Sequence, residues 1–181
     1  MGCKVSGHLT PSGVSRLFAP LVAARPSASH QTLEHIDLNS VGLTGSCRFM
    51  LGEVQQITSL TFVDLSNNNL YGDIPEQPLH ALPRLRGLNM ACNHACGPIP
   101  DLHHLRRLYL LNLSGNMLSG CISEALWSAS SIRELWLNHN SREFFNNNLL
   151  ATEARRLAFS MNTIALLFRV MCSAFPRGKI K

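Results

Sequence analysis

Residues 60–75 read LTFVDLSNNNLYGDIP, and the same order of apolar, asparagine, glycine and proline positions returns through the middle of the chain. The pattern is L-x-x-L-x-L-x-x-N-x-L-x-G-x-I-P, where x is variable. Copies begin at residues 33, 60, 85, 108 and 132, so the spacings are 27, 25, 23 and 24 residues. One copy cannot bury its own apolar side, and neighbouring copies must therefore stack. The sequence predicts an α/β solenoid over residues 33–148, with about five repeats of which the last is degenerate.

Each x-x-L-x-L segment predicts a short strand whose alternate side chains point to opposite faces. The leucines enter the core, and the residues between them line the concave face of one parallel sheet. We expect its strands near residues 36, 63, 88, 111 and 135. An asparagine recurs where the chain leaves each strand, and its amide can pair there with backbone groups of adjacent coils. This predicts a structural ladder of Asn68, Asn93, Asn116 and Asn140.

The L-x-G-x-I-P phrase, as in residues 70–75, resembles the plant-type class of leucine-rich repeats. That class occurs in receptor-like kinases, receptor-like proteins and polygalacturonase inhibitors. Residues 5–10 (VSGHLT) and 126–128 (LWS) are also similar to the leucine-rich repeats of kinetoplastid surface antigens. The resemblance implies recognition of proteins, peptides or glycans at the cell surface or outside the cell. The chain departs from both families, since it shows no kinase segment, no obvious signal peptide and no paired-cysteine caps.

The solvent-facing strand positions form the predicted binding surface. Phe62, Leu110 and Trp136 are large apolar residues in places that are usually polar, and such residues often form binding hot spots. The alternative is that they pack locally against an imperfect neighbouring coil. The predicted concave-face residues are Phe62, Asp64, Leu110, Asn112, Glu134 and Trp136.

The repeats carry no recognisable catalytic motif, because the sequence lacks a nucleophile elbow, a paired metal motif and a phosphate-binding loop. We therefore expect a non-enzymatic recognition module without a cofactor, which binds a protein, peptide or glycan through its concave face. The alternative is a fragment of a cell-surface receptor or surface antigen, associated with a membrane. Without such a context the expected location is the cytoplasm.

Cysteine and histidine residues near position 94 raise the question of a metal site. Cys92, His94 and Cys96, with the pair His103 and His104, could be zinc ligands, but their spacing fits no standard four-ligand pattern. We therefore predict no metal there. Cys47 occupies a core position that usually holds isoleucine, where a free cysteine acts as a small apolar residue.

The basic charge of the chain is concentrated near the C-terminus. The chain has 16 Lys/Arg and 11 Asp/Glu; residues 149–181 hold six and one of these, which leaves ten of each in residues 1–148. Nucleic-acid binding by the repeats thus lacks electrostatic support. Apolar residues at three- and four-residue steps in 149–181 predict an amphipathic C-terminal helix that caps the solenoid. The alternatives are a helix on a membrane surface, disorder or a faulty gene model.

Two modification motifs are present. Residues 1–6 (MGCKVS) match the N-myristoylation pattern, with Gly2 as the acceptor and Cys3 placed for a second acyl chain. Alternatively, residues 3–10 fit the late positions of a repeat already under way, which would make the chain a fragment of a longer protein. Residues 1–32 are then an irregular repeat or linker. Asn112 begins the chain's N-x-[ST] sequon and is a glycosylation site only if the chain is secreted.

Overall fold

The computed structural model describes residues 33–123, 126 and 131–141. Alternate strands of this region form a five-stranded parallel sheet with one strand from each coil. Its strands are β1 (His35–Asp37), β3 (Phe62–Asp64), β5 (Gly87–Asn89), β7 (Leu110–Asn112) and β9 (Glu134–Trp136). Each strand pairs with that of the next coil, in the order β1-β3-β5-β7-β9. The predicted α/β solenoid with a parallel sheet is confirmed.

A second parallel sheet, which the leucine spacing does not predict, is formed by the L-x-G-x-I-P half of the repeats. Its strands, in spatial order, are β2 (Thr44–Ser46), β4 (Asn69–Asp73), β6 (His94–Gly97) and β8 (Met117–Leu118). Gly72 and Gly97 both have positive φ, 83° and 75°, a conformation that residues with a side chain rarely adopt. The repeated glycine thus lets successive coils turn at the same point.

Helical segments follow the second sheet and form a third side of the coils. They are α1 (Cys47–Val54) and α2 (Glu76–His80). The N-terminus of α1 is capped by Ser46, whose hydroxyl accepts a hydrogen bond from the Phe49 amide at 3.1 Å. The three-residue spacing after the proline position predicts α2, whereas α1 in the first coil is longer than the repeat pattern suggests.

The core lies inside the coils and is built from the repeated leucines. Leu65, Leu70 and Leu79, from the three sides of one coil, are all fully buried. Burial of each such side chain contributes about 1.5–3 kcal/mol. Cys47 is also fully buried, and burial raises the pKa of its thiol to about 12.

The asparagines of the proposed ladder each bridge two coils. The amide nitrogen of Asn93 donates to the Leu65 carbonyl of the preceding coil at 3.0 Å and to Met90 of its own coil at 3.2 Å. Its amide oxygen accepts from the Leu70 amide at 3.0 Å. The other ladder residues make the corresponding bonds: Asn68, Asn116 and Asn140. These bonds satisfy backbone groups that the stacking of coils removes from water.

Several predictions lie outside the described residues. They are the segment 1–32, including Gly2 and Cys3, the end of the degenerate repeat at 142–148, and the C-terminal helix in 149–181. In the region that is described, no helix is both long enough and apolar enough to span a membrane.

Candidate binding surface on the five-stranded sheet

Strand register places the predicted concave-face residues in two columns that run across the coils. The first column lies at the start of each strand and contains His35, Phe62, Gly87, Leu110 and Glu134. The second column, two residues further on, contains Asp37, Asp64, Asn89, Asn112 and Trp136. Between the columns the middle residue of each strand is buried, as Val63 is. All six predicted residues thus lie on the same face of one sheet.

The Phe62 ring fills the gap that Gly87 leaves in the first column. A Cβ atom at Gly87 would lie 2.3 Å from Phe62 Cδ2 and 2.4 Å from Cε2, much closer than atoms can approach. His35 lies on the other side of Phe62, with 6.0 Å between the ring centroids. Phe62 therefore packs against its neighbouring coil, and the rest of its half-buried ring remains at the surface.

Polar side chains of the second column bond to one another or to polar residues that follow the strands. Asn89 donates to Asp64 Oδ2 at 2.9 Å and to the Ser66 hydroxyl at 3.2 Å. Asn39 donates to the same hydroxyl at 2.6 Å. Further along, Asn112 Oδ1 accepts from the Ser114 hydroxyl at 2.7 Å. Because these bonds already hold the side chains, a ligand that binds there orders few additional groups.

A cleft of about 700 Å³ lies beside the first column, on the side from which the strands begin. Its lining residues are Glu34, His35, Thr61, Phe62, Pro83, Arg84, Arg86, Arg107 and Tyr109. Of the six predicted concave-face residues, Phe62 alone is among them.

Backbone hydrogen bonds stack the cleft residues that immediately precede the strands. The Glu34 carbonyl accepts from the Thr61 and Phe62 amides at 2.7 and 3.1 Å. The Thr61 carbonyl accepts from the Arg86 amide at 2.7 Å, and the Arg86 carbonyl accepts from the Tyr109 amide at 2.8 Å. We call this row of Glu34, Thr61, Arg86 and Tyr109 the lead column. These hydrogen bonds fix the backbone of the lead column at each coil. The side chains of the column lie at the surface of successive coils.

The cleft is positively charged, since Arg84, Arg86 and Arg107 are opposed by Glu34 alone among its lining residues. All three arginines are exposed. Guanidinium groups pair with carboxylates through two parallel hydrogen bonds, and Tyr109 adds an exposed ring beside them. The arrangement can hold an anionic group next to an aromatic or apolar side chain.

Sequence reasoning missed the arginines because it summed charge over residues 1–148, where ten basic and ten acidic residues cancel. The available signal was positional. Arg84 lies in the turn before β5 and Arg86 immediately precedes that strand, so both come just upstream of the same strand. Arg107 stands one repeat later at the position that corresponds to Arg84. Aligning the copies over the residues just upstream of each strand would have shown the basic cluster.

Comparison with known proteins supports the repeat class. The Leucine Rich Repeat family model matches residues 59–80 and 107–129. The chain is 42% identical over 64 residues to the receptor-like protein CLAVATA2 of Arabidopsis thaliana, which covers 35% of this chain and 9% of that protein. The chain thus spans a small part of this relative's length.

Solved structures show the same fold. The BIR3–SERK2 complex of Arabidopsis thaliana has a chain with 32% sequence identity and a TM-score of 0.59, and the likeness covers 64% of this chain and 60% of that one. The plant peptide hormone receptor RGFR1, solved in complex with RGF2, has 28% identity and a TM-score of 0.54; 60% of this chain and 17% of that one are covered.

Proposed function

We propose that this chain, whose coils are plant-type leucine-rich repeats, is a non-enzymatic recognition module that binds an extended peptide segment across its five-stranded sheet. An acidic group of the peptide sits among the cleft arginines. The rest of the peptide crosses the two strand columns. The surface residues assigned to this role are Phe62, Asp64, Leu110, Asn112, Glu134 and Trp136, joined by Arg84, Arg86, Arg107 and Tyr109.

The observation that carries this proposal is the arginine-lined cleft next to Phe62. Its volume of about 700 Å³ falls in the range of ligand pockets, about 300–1,000 Å³. Because the cleft extends over residues of consecutive coils, it suits an elongated ligand that runs along the stack. Solenoids commonly bind partners on such extended concave surfaces.

The remaining surface supplies specificity along the peptide path. The bonded side chains of Asp64 and Asn89 offer fixed polar partners, whereas Leu110 and Trp136 offer apolar contacts at later coils. The solved relative RGFR1 was captured with RGF2, which agrees with a peptide ligand for this fold.

The receptor-fragment hypothesis is compatible with the same site. The match covers 9% of the length of CLAVATA2, a receptor-like protein. We therefore propose that the chain acts either as the ligand-binding part of a larger surface protein or as a shorter protein that competes with one for the ligand. In either setting the cleft performs the binding step. The two settings differ in the event that binding triggers rather than in the chemistry of the site.

The test is to select peptides that bind the purified full chain from a random phage-displayed library. The selected peptides are then synthesised, and their dissociation constants are measured. We expect acidic residues to be enriched. Charge reversal by Arg86→Glu together with Arg107→Glu should weaken binding at least about tenfold, equivalent to about 1.4 kcal/mol.

Arg106→Glu is the matched control, because Arg106 is exposed and adjacent to Arg107 but does not line the cleft. It should change the dissociation constant less than about twofold, because its charge is exposed, is screened by salt and makes no contact inside the cleft. Selected peptides that lack acidic residues, or equal losses of affinity in the control and in the double variant, would contradict the proposal.

A further inference from the structure

Three metal-ligating side chains converge on the helical side of the coils, outside the cleft and both strand columns. Glu76 and His80 are four residues apart in α2, which places them on the same face of the helix. His104 comes from the next coil. One ligand atom from each side chain lies within 4.8 Å of the other two. Two consecutive coils thus present ligands toward one point.

The ring nitrogens of His104 are poorly satisfied in the described structure. Both are inaccessible to solvent, and neither makes a hydrogen bond of good geometry with a described residue, although the backbone of Leu79 lies close to the ring. Leaving a buried polar group unpaired is unfavourable, and such a group calls for an explanation such as a bound ion.

The other two groups are close and adjustable. His80 Nε2 lies 2.9 Å from Glu76 Oε1, and the His80 and His104 ring centroids are 3.7 Å apart in an edge-on arrangement. The side chains of His80 and Glu76 are 46% and 38% exposed, so both have room to move. A metal ion would bind between these side chains in place of their direct contact.

We propose that Glu76, His80 and His104 bind a divalent transition-metal ion, with Zn²⁺ as the ion that fits the ligands best. Two imidazoles and one carboxylate, with water in the fourth position, form an established zinc ligand set. Tetrahedral ligands about 2.0–2.2 Å from zinc are roughly 3.3 Å apart. His80 Nε2 and Glu76 Oε1, now 2.9 Å apart, would therefore separate slightly, and the widest separation among the three ligand atoms, at most 4.8 Å, would close by up to about 1.5 Å. Magnesium and calcium fit poorly, because both favour oxygen ligands.

The bound ion would clamp two neighbouring coils together. Glu76 and His80 belong to the coil that starts at residue 60, and His104 to the coil that starts at residue 85. An ion that binds this assembled site and not the unfolded chain stabilises the solenoid as its concentration rises above the dissociation constant. The site is independent of peptide binding at the cleft.

The experiment uses the full chain, stripped with a chelator and with its accessible cysteines alkylated so that their thiolates do not bind the probe. Zn²⁺ alone is titrated by calorimetry, and thermal unfolding is followed with and without it. We expect one strong site and a zinc-dependent rise in Tm. His104→Ala, His80→Ala and the isosteric Glu76→Gln should each weaken zinc binding at least about tenfold.

His103→Ala is the matched control, because His103 is adjacent to His104 but is exposed and paired with Asp101 at 2.9 Å. It should retain zinc affinity within about twofold. Circular dichroism without metal establishes that each variant is folded, and Glu76→Gln tests the site if a histidine variant is not.

Co²⁺ provides a second measurement, since its absorption spectrum reports the ligands around it. The wild-type spectrum should show nitrogen and oxygen ligands and should be lost in His104→Ala. Absence of a zinc-dependent Tm rise in the wild type, or equal affinity losses in His103→Ala and His104→Ala, would overturn the proposal.

Discussion

The ring of Phe62 occupies the space that a side chain at Gly87 would need, with Cδ2 only 2.3 Å from an ideal Gly87 Cβ position. The two residues are paired in register on adjacent strands. Because the Phe62 ring also lines the cleft, its packing against Gly87 affects the shape of the cleft.

The first prediction is that Gly87→Ala destabilises the chain only while Phe62 is present. Overpacking usually costs about 1–3 kcal/mol, whereas a strain-free Gly→Ala change stabilises by about 0.4–1 kcal/mol. In a Phe62→Ala background the substitution should therefore be neutral or stabilising. Urea denaturation of the two single variants and the double variant measures the coupling, expected at about 0.5–3 kcal/mol. Additive effects would show that the ring moves aside freely.

The second prediction compares two asparagines of one coil. Asn93→Ala should destabilise by about 1–3 kcal/mol, because its buried amide spans two coils and its removal leaves the Leu70 amide without this acceptor. Asn89→Ala should cost less, since Asn89 is half-buried and its side-chain nitrogen bonds to the side chains of Asp64 and Ser66 rather than to backbone groups of the core. Equal denaturation midpoints would contradict the structural role assigned to the ladder.

The third prediction concerns Cys92, which adopts a left-handed backbone conformation with φ of 53°. The corresponding residue of the preceding coil is Asn67, with φ of 54°. Because asparagine tolerates this conformation better than other residues with side chains, Cys92→Asn should stabilise by up to about 1 kcal/mol.

The control for Cys92 is Cys96→Asn, which replaces an exposed cysteine in strand β6 where no positive φ is involved. It should be neutral or destabilising, because asparagine is disfavoured in strands. Thermal unfolding of both variants separates backbone strain from a general benefit of removing a thiol.

The repeat pattern predicted the five-stranded sheet well, because each strand's leucines must enter the core and the spacing between copies fixes which strands adjoin. It did not predict the second sheet. Residues 94–97 (HACG) show no marked alternation, and that strand depends on pairing with residues 71–73 of the preceding coil. Such pairing arises from stacking rather than from local preference.

The site was less predictable than the fold. Phe62 could be singled out because it is apolar at a polar position, but its contact with Gly87 depends on which residue the neighbouring coil presents. The grouping of His80 with His104 has the same origin. The two residues are 24 positions apart in the sequence. A search for metal motifs within one segment instead considered His94 with Cys92 and Cys96, and rejected them because their spacing fits no standard pattern.

The fourth prediction is that Cys47 resists thiol reagents in the native protein, whereas Cys92, Cys96 and Cys121 react. Cys47 is fully buried, and its pKa is raised to about 12 from an ordinary 9.0, so little thiolate forms near pH 8. Peptide mapping after alkylation, native and denatured, measures this. Labelling of native Cys47 at the rate of Cys96 would contradict the buried assignment.

The raised pKa of Cys47 also determines how the stability of the folded chain changes at alkaline pH. Because the folded pKa lies above the unfolded one, the thiol contributes stability that is fully present below pH 9 and is lost as the pH rises toward 12. A Cys47→Ala variant should therefore lose less stability over that interval than the wild type, although its smaller side chain lowers stability at neutral pH.

The last prediction tests whether binding extends beyond the cleft to the far end of the sheet. Trp136 is half-buried in the second column of β9, whereas Tyr71 is 57% exposed on the second sheet. If a selected peptide crosses the columns, Trp136→Ala should raise its dissociation constant about tenfold or more, since tryptophans are frequent hot spots worth about 2 kcal/mol. Tyr71→Ala should have little effect, because Tyr71 is an aromatic residue on another face. Titrations with one peptide, after circular dichroism shows that both variants fold, decide the matter. Loss of binding in Tyr71→Ala with full binding in Trp136→Ala would place the peptide on the second sheet and reject the concave surface.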